Sequence, residues 1–482
     1  MWRLSGKKRK QPNPARERRA GNEETFLARG GGYTNKKVNT KKEPYDIAIV
    51  GGGVTGAALL FVLARYTDVQ KIVLLEKNST PGQVNSRSNN NSQTLHLGDI
   101  ETNYSLKKAA EVKRRAMMVV NYAKLFGEEE SKKFLHTVSK MVLAVGVEEV
   151  KKLNERYENF RGLFPSLKKY SRGDIASLEP KVTEGRDEKT PILALGTEKG
   201  YAVNFGALAE SLISNAQKES ADRVTILFNI KVNDTARGAD GLYVLATDDG
   251  EIRARAVIFA TDAWSILYAK RLGYAKEYSI IPISGNFYFA PETLRGKVYT
   301  LQDEKLPFAA VHGDPDVSVP GKTRFGPTAK ISPMFESGSW STVLDYFRAA
   351  SLDFRTIKSF IKILSDRHRV SFLLKNLAFS VPFFGKRLFL KSVQKIVPTM
   401  RANDLTFAEG FGGMRMQTVN KKTGELELGE KKIIGESVIF NSAPSPGASI
   451  CLGNAEADAK TIMSFFKGEF SFNENRFGVE LG

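Results

Sequence analysis

The stretch from Asp46 to Lys77, DIAIVGGGVTGAALLFVLARYTDVQKIVLLEK, constrains the fold more than any other part of the 482-residue chain. Ile47 to Val50 form the short apolar run of a buried parallel strand. Gly51-x-Gly53-x-x-Gly56 follows directly, and Val54, Ala57, Ala58, Phe61 and Val62 then recur at i, i+3, i+4, i+7 and i+8, the stripe of a helix packed on a sheet. A second strand, Ile72 to Leu75, ends on Glu76. Gly51 permits a tight turn, Gly53 lets the backbone approach a pyrophosphate, and Gly56 lets helix and strand pack closely. The helix N-terminus faces the phosphate charge, and Glu76 can accept from a ribose hydroxyl. A glycine triplet alone also fits a plain structural turn. The complete strand–turn–helix–strand–acid unit points to a bound dinucleotide.

Other chemistries are excluded by what the chain lacks. A single cysteine, Cys451, rules out an internal disulfide framework and CxxC metal chemistry and suits a reducing compartment. With four histidines and no HExxH spacing, no metal site is expected. No uncharged apolar run approaches the ~18 residues needed to span a bilayer. The net charge of +19 is concentrated in two places, residues 1–44 (net +9) and residues 341–400 (net +8), which argues against general nucleic-acid affinity and for two local basic surfaces. Residues 1–44 are polar, broken by Gly and Pro, and without amphipathic period. They read as a disordered extension without the apolar core of a secretory signal. Their arginines suit a mitochondrial presequence, but four glutamates and few serines weigh against one.

The chain returns to the first unit twice more. Residues 222–262 hold a strand (VTILFNI), a hairpin turning at Asp248-Asp249-Gly250, and an apolar strand, Val257 to Ala260. Residues 437–465 give a strand (SVIFNSA), a Pro/Ser/Gly turn and a helix beginning near Ser449. Two insertions intervene: 105–200, mostly helical and charged, and 275–404, mixed β then α. Only one glycine fingerprint is present; Gly410-Phe-Gly412-Gly413-Met-Arg415 has no Rossmann strand before it. One site for one tightly held dinucleotide favours a flavin over NAD(P)H. Small residues at Gly447, Ala448 and Ser449 let a planar ring lie against a helix end, whose partial positive charge suits a reduced flavin. The expected fold is α/β. A Rossmann-type FAD-binding domain is assembled from 45–104, 201–274 and 405–482, and an α+β substrate domain from 105–200 and 275–404.

Several separated motifs resemble the malate:quinone oxidoreductases, in their shorter variant, flavoproteins related to L-2-hydroxyglutarate dehydrogenase and D-amino-acid oxidase. These motifs are Asn91-Ser-Gln-Thr-Leu-His-Leu-Gly-Asp-Ile-Glu-Thr-Asn-Tyr104, the stretch Leu294 to Ala329, Gly410-Phe-Gly-Gly-Met-Arg-Met-Gln417, and Ser442-Ala-Pro-Ser-Pro-Gly-Ala-Ser449. The resemblance runs from Tyr45 to about Lys467, with one departure at Asp262, where related proteins often carry Gly. It implies FAD-dependent oxidation of (S)-malate to oxaloacetate, with electrons passed to a membrane quinone. Removing the C2 hydroxyl proton needs a base with pKa near operating pH, for which histidine fits best. The substrate carboxylates need arginine or strong donors. His312 is the expected base and His96 its competitor; His136 and His368, in charged helical contexts, are expected to be solvated. Arg415 is the expected carboxylate clamp, with Arg324, Gln417 and Asn91 as further substrate contacts. Gly51, Gly53, Gly56, Glu76, Lys77, Ser86, Ser92, Val232, Gly447, Ala448 and Ser449 are the expected cofactor contacts, and Cys451 is expected to pack beneath the flavin. Oxidation of another 2-hydroxy acid such as L-2-hydroxyglutarate, and a flavin-binding membrane protein without turnover, remain open.

Residues 354–398 interleave Phe and aliphatics with Lys and Arg and contain few acids. That composition suits helices lying on an anionic membrane surface, and equally a helix pair buried in the core. The first reading puts the protein peripherally on the cytoplasmic face of the inner membrane, or on the mitochondrial inner membrane.

Overall fold

The computed structural model describes residues 43–302, 310–379, 384–427, 430–442 and 446–482. Apart from Glu43 and Pro44, the basic extension lies outside them, as do Ala443 to Ser445 of the closing turn and the side chain of His368.

The opening unit is β1 (Tyr45–Val50), α1 (Val54–Tyr66) and β2 (Ile72–Glu76). The strands run parallel, with Ile47 opposite Ile72 and Val50 opposite Leu75. Gly51 takes φ +108°, and a Cβ on it would lie 2.5 Å from the Ala260 carbonyl oxygen. A Cβ on Gly56 would lie 2.0 Å from the Gly51 carbonyl oxygen. Both positions exclude any side chain.

The 105–200 insertion contains α2 (Leu106–Phe126), α3 (Glu128–Ser131), α4 (Val147–Phe160), α5 (Arg172–Leu178) and α6 (Pro180–Thr183), and with them β3 (Leu135–Val145), β4 (Lys168–Tyr170) and β5 (Ile192–Val203). The strands are a correction to the helical expectation. β3 is interrupted by a register shift between Val138 and Lys140, and a polar Thr-Glu-Lys-Gly run splits β5, so neither shows a clean period of two. His136 accordingly sits half-buried on a strand instead of solvated on a helix.

Next come α7 (Phe205–Glu219), β6 (Val224–Phe228), β7 (Val232–Arg237), β8 (Tyr243–Thr247), β9 (Gly250–Phe259) and α8 (Ala263–Arg271). The hairpin turns at Asp248-Asp249, as expected. The apolar strand after it is the second half of β9, which pairs antiparallel with β8 early and parallel with β1 along most of its length. The following strands are β10 (Tyr278–Ser284), β11 (Tyr288–Pro291), β12 (Lys297–Thr300), β13 (His312–Pro315), β14 (Lys322–Gly326) and β15 (Lys330–Ile331). Four helices succeed them: α9 (Val343–Ala350), α10 (Phe354–Leu364), α11 (Arg367–Ala378) and α12 (Phe384–Gln394). The chain then forms β16 (Thr406–Phe407), β17 (Met414–Asn420), β18 (Glu425–Glu427), β19 (Lys431–Gly435), β20 (Val438–Ser442), α13 (Cys451–Phe465) and α14 (Glu474–Glu480).

The first sheet runs β19-β20-β9-β1-β2-β6, with β20, β9, β1, β2 and β6 all parallel. Alternation along β1 and β2 sends Ile47, Ile49, Ile72 and Leu74 toward α1, α7 and α13, while Ala48, Val50, Val73 and Leu75 face the β7–β8 hairpin and α8. Because α7 and α13 cover its outer side, α1 is buried nearly all round instead of along a stripe. The other strands form an eight-stranded sheet, β16-β11-β14-β13-β12-β3-β5-β4, and a four-stranded one, β15-β10-β17-β18. Residues 406–427 therefore pair with strands of the 278–331 region and not with the parallel sheet, although the sequence grouped everything from 405 onward with the dinucleotide unit.

Candidate active site

The carboxyl ends of the parallel strands open into one elongated pocket, the usual ligand crevice of such a sheet. Gly51, Gly53, Glu76, Lys77, Ser86, Ser92, Val232, Ala448 and Ser449 line it. Gly56 and Gly447, also expected as contacts, do not: Gly56 acts beneath the turn by fitting under Gly51. Buried Glu76 is held in place by its own surroundings. One carboxylate oxygen accepts from the Gly52 amide at 2.7 Å and the other from the Asn78 amide at 2.8 Å and side chain at 2.6 Å. Lys77 pairs with Glu336 and lies 4.0 Å over the Trp264 ring.

The segment from Asn85 to His96 crosses this pocket. Ser86 Oγ accepts from the Val54 amide at 2.9 Å, which anchors the segment to the N-terminus of α1. Asn91, expected to touch substrate, donates its amide to the carbonyls of Asn85, Ser86 and Arg87 and accepts from the Gln93 amide, so its polar atoms are engaged in shaping the turn. Ser449 Oγ donates to the Thr94 carbonyl at 3.2 Å and accepts from the His96 amide at 3.0 Å. α13 itself starts at Cys451, and Cys451 is fully buried against the same packing layer as α1.

The two histidines expected to compete for the role of base lie in different surroundings. His96 lines the pocket, with Nδ1 2.6 Å from Glu101 Oε1 and Nε2 3.3 Å from Ser92 Oγ. Burial pushes the Glu101 carboxyl up, but the hydrogen bond and charge of His96, with Lys140 nearby, outweigh it and bring the group down to about 2. An ionised carboxylate only accepts, so Nδ1 carries the proton of the Glu101 hydrogen bond and Nε2 is the nitrogen turned to Ser92. His312 is 2% exposed and does not line the pocket. Its ring stacks on Tyr299 at 4.5 Å. Burial first, then Arg324, Lys297 and Arg415, push it down to about 3 against the opposing pull of Asp314.

The two arginines divide in the same way. Arg415, on β17 opposite Ile283, lines the pocket, and burial works against its charge. Arg324 is fully buried and engaged elsewhere: Nη2 lies 3.2 Å from Asp314 Oδ2, Nη1 3.4 Å from Asp316, and the guanidinium rests over Phe287. With Lys297, 2.8 Å from Asp314, this makes a closed ionic cluster behind Tyr299 and His312. His312 and Arg324, expected as base and as a further substrate contact, thus lie off the pocket lining, one against Tyr299 and the other in the Asp314 cluster. Gln417 is buried on β17 and absent from the pocket wall.

Three residues escaped sequence reasoning. Glu101 carries no signal beyond an acid in a turn. Tyr299 hydrogen-bonds Thr94 Oγ1 through its hydroxyl at 2.6 Å and meets His96 edge-on. Asp262, noted only as a departure, lines the pocket at φ +49°, accepts from Asn85 Nδ2 at 2.6 Å, and is pushed up to about 6 by burial.

Away from the pocket, α10 is inverted relative to an ordinary surface helix. Thr356 and Ser359 face the protein, their hydroxyls satisfied by the Ser351 and Arg355 carbonyls, while Phe354, Ile357, Ile361 and Leu364 face outward. Phe354 is 80% exposed. Leu374 and Leu377 of α11 and Phe384 and Leu388 of α12 are exposed as well. A plain core helix pair would bury these side chains.

A family model described as malate:quinone oxidoreductase matches residues 43–473. The chain is 40% identical over 451 residues to a probable malate:quinone oxidoreductase of Campylobacter jejuni, covering 91% of this chain and 99% of that one. It is 38% identical over 444 residues to a malate:quinone oxidoreductase of Helicobacter pylori, covering 91% and 98%. Among solved structures, an L-alpha-glycerophosphate oxidase from Mycoplasma pneumoniae aligns with TM-score 0.60 at 18% identity, covering 87% of this chain and 95% of that one. A glycine oxidase from Geobacillus kaustophilus aligns with TM-score 0.60 at 20% identity, covering 88% and 95%. At these identities the two structures speak to the fold alone.

Proposed function

The chain belongs to the malate:quinone oxidoreductase family, and from that premise we propose that it oxidises (S)-malate against the pocket wall carrying His96 and Arg415 and passes the electrons to a membrane quinone. It is an FAD-dependent oxidoreductase. The pocket suits that cofactor: a glycine turn that excludes side chains, a buried and pre-oriented Glu76 for the ribose, and helix amides beside Ser86 for the pyrophosphate. Lys77 and Val232 would flank the adenosine end, and Ser92, Ala448 and Ser449 the ring end. Bound there, FAD supplies a two-electron acceptor for the hydride from malate C2.

The remaining chemistry belongs to side chains. Nε2 of His96 takes the C2 hydroxyl proton as the hydride departs, and Glu101 stabilises the imidazolium that forms. Arg415 pairs with a substrate carboxylate, which compensates the burial of its charge. Tyr299 and Thr94 hold the wall behind the imidazole. The observation that carries the proposal is that His96, backed by Glu101, lines the same pocket as Arg415. On this reading the parallel-sheet segments hold the cofactor, and the mixed eight-stranded sheet and the antiparallel four-stranded sheet present the substrate side.

The outward apolar face of α10 supports peripheral docking on an anionic membrane, with exposed Arg355 and Lys358 over the head groups. Among the described residues no helix is long and apolar enough to cross a membrane. A face of the inner membrane in contact with soluble malate, the cytoplasmic face in a bacterium, is the proposed location. Anaerobic bleaching of the flavin by a panel of 2-hydroxy acids, then reoxidation by a short-chain quinone, tests the function. Malate is expected to bleach fastest; preferential bleaching by 2-hydroxyglutarate would reassign the substrate, and no bleaching would leave a protein without turnover.

A further inference from the structure

We infer that a second cleft, of about 530 Å³, seats the quinone ring, on the opposite side of the 83–90 segment from the cofactor pocket. The inference rests on the acceptor proposed above and adds where that acceptor binds. Gln83, Val84, Asn85 and Asn90 line both cavities, so this one segment is their common wall. It is fixed from the far side: the Gly412 amide donates to the Asn89 carbonyl at 2.9 Å, and the Met414 amide to Asn85 Oδ1 at 3.3 Å. A Cβ on Gly413 would lie 2.0 Å from the Asn90 carbonyl oxygen, so the two backbones are in direct contact.

Two exposed aromatic residues, Trp340 and Phe407, line the cleft. Trp340 lines it and is 76% exposed. Trp340, Leu344 and Phe347 recur at i, i+4 and i+7 into α9, and all three are exposed. On the other side, half-exposed Phe407 meets Tyr288 edge-on at 5.6 Å, and Tyr288 stacks at 5.0 Å on Phe389 of α12, the helix that exposes Phe384 and Leu388. Exposed apolar side chains of α9 and α12 thus continue outward in sequence and in ring contact from the two aromatic residues that line the cleft, which suits a ligand arriving from lipid.

The interior suits a quinone, a flat ring with two acceptor oxygens. Phe411 and Met334 supply apolar wall, and Arg87, Lys330 and Asn286 supply donors. Cations near those oxygens would stabilise the charge that develops as electrons arrive, and the one carboxylate of the lining, Glu336, is paired with Lys77. The volume lies within the ordinary range for small-molecule sites, roughly 300–1,000 Å³. The redox balance closes: malate gives up a hydride and a proton, and the quinone gains two electrons and two protons to become quinol. Malate has no use for an aromatic mouth, and Arg415 lines the cofactor pocket, not this cleft.

The test separates the two half-reactions in the FAD-loaded, detergent-free protein. For Trp340→Ala/Phe407→Ala and Lys330→Gln we expect reoxidation by a short-chain ubiquinone analogue to slow at least tenfold, with flavin reduction by malate changed less than twofold. An azido-quinone should also label wild-type peptides within 330–340 or 407–412. Slowed reduction with normal reoxidation would make the cleft malate's and overturn the inference. Unchanged half-reactions, or labelling elsewhere, would overturn it too. If the wild-type flavin is bleached by malate but not reoxidised by any quinone, the acceptor reading fails instead.

Discussion

Glu101 Oε1 lies 2.6 Å from His96 Nδ1, and its second oxygen accepts from the Gly98 amide at 2.8 Å, so the carboxylate fixes both the tilt and the tautomer of the imidazole. The free nitrogen, Nε2, is left with Ser92 on the pocket wall.

His96→Gln should slow flavin reduction by malate by about 10²–10⁴-fold, the usual weight of a general base, with FAD still bound. His312→Gln should change the limiting rate less than about threefold, because the ring lies behind Tyr299. Rate rises with pH as a base loses its proton. A limb governed by His312 would sit near pH 3, where burial has pushed it, so an acidic limb that survives in His312→Gln and disappears in His96→Gln identifies His96. Stopped-flow reduction across pH reads all of this.

Replacing Glu101 with Gln removes the charge and keeps the shape. We expect kcat to fall by roughly 10²-fold through lost orientation and lost stabilisation of the imidazolium, with KM little changed. The folded-state carboxyl lies below its unfolded value, so the stability it contributes is present above about pH 4.5 and disappears as pH falls toward 2. Acid melting curves of the variant should lose that step.

For Arg415→Lys, the planar fork that grips a carboxylate becomes a point charge. KM for malate should rise by about tenfold or more, with FAD affinity unaltered. Steady-state kinetics with fluorimetric FAD titration would show whether the clamp lies elsewhere.

Asp262 is buried, and its folded pKa of about 6 lies above the ordinary 3.8. The folded state therefore holds a proton that the unfolded chain releases, and stability declines as pH rises between those values. Asp262→Asn should flatten that decline and stabilise the protein at pH 8 by on the order of 2 kcal/mol. Thermal melts at pH 4, 6 and 8 decide it.

On α10, Phe354→Glu/Ile361→Glu should abolish co-sedimentation with anionic liposomes while shifting Tm by less than about 2 °C, since both positions face outward. Wild-type binding should need anionic lipid and weaken with salt. Retained binding by the double variant would put the contact elsewhere.

The parts of the fold legible in the sequence are those where local chemistry leaves little choice. Gly51 and Gly56 have no room for a Cβ, and Glu76 ends its strand with its carboxylate on the Gly52 amide. The β3–β5 pair was illegible because the chain there accommodates contacts instead of a period: buried Lys140 reaches Asp99 at 2.7 Å, and a Cβ on Gly196 would lie 2.3 Å from the Lys140 carbonyl oxygen. Arg324 and Arg415 look alike in sequence, each on a strand near glycines. Register separates them, since β13 sets Asp314 directly opposite Arg324, while Arg415 faces Ile283. The outward turn of α10 likewise follows from packing, since the same residues would pattern equally well with the helix rotated inward.

Ser449 ties the Thr94 carbonyl and the His96 amide to the last turn before α13, across more than 350 residues of chain. A ribosome that has made residues 1–440 has already delivered the glycine turn, His96, Glu101 and Arg415, yet the seat of the imidazole is still missing one wall. The segment from Thr94 to His96 therefore takes its final seat only once Ser449 is in place.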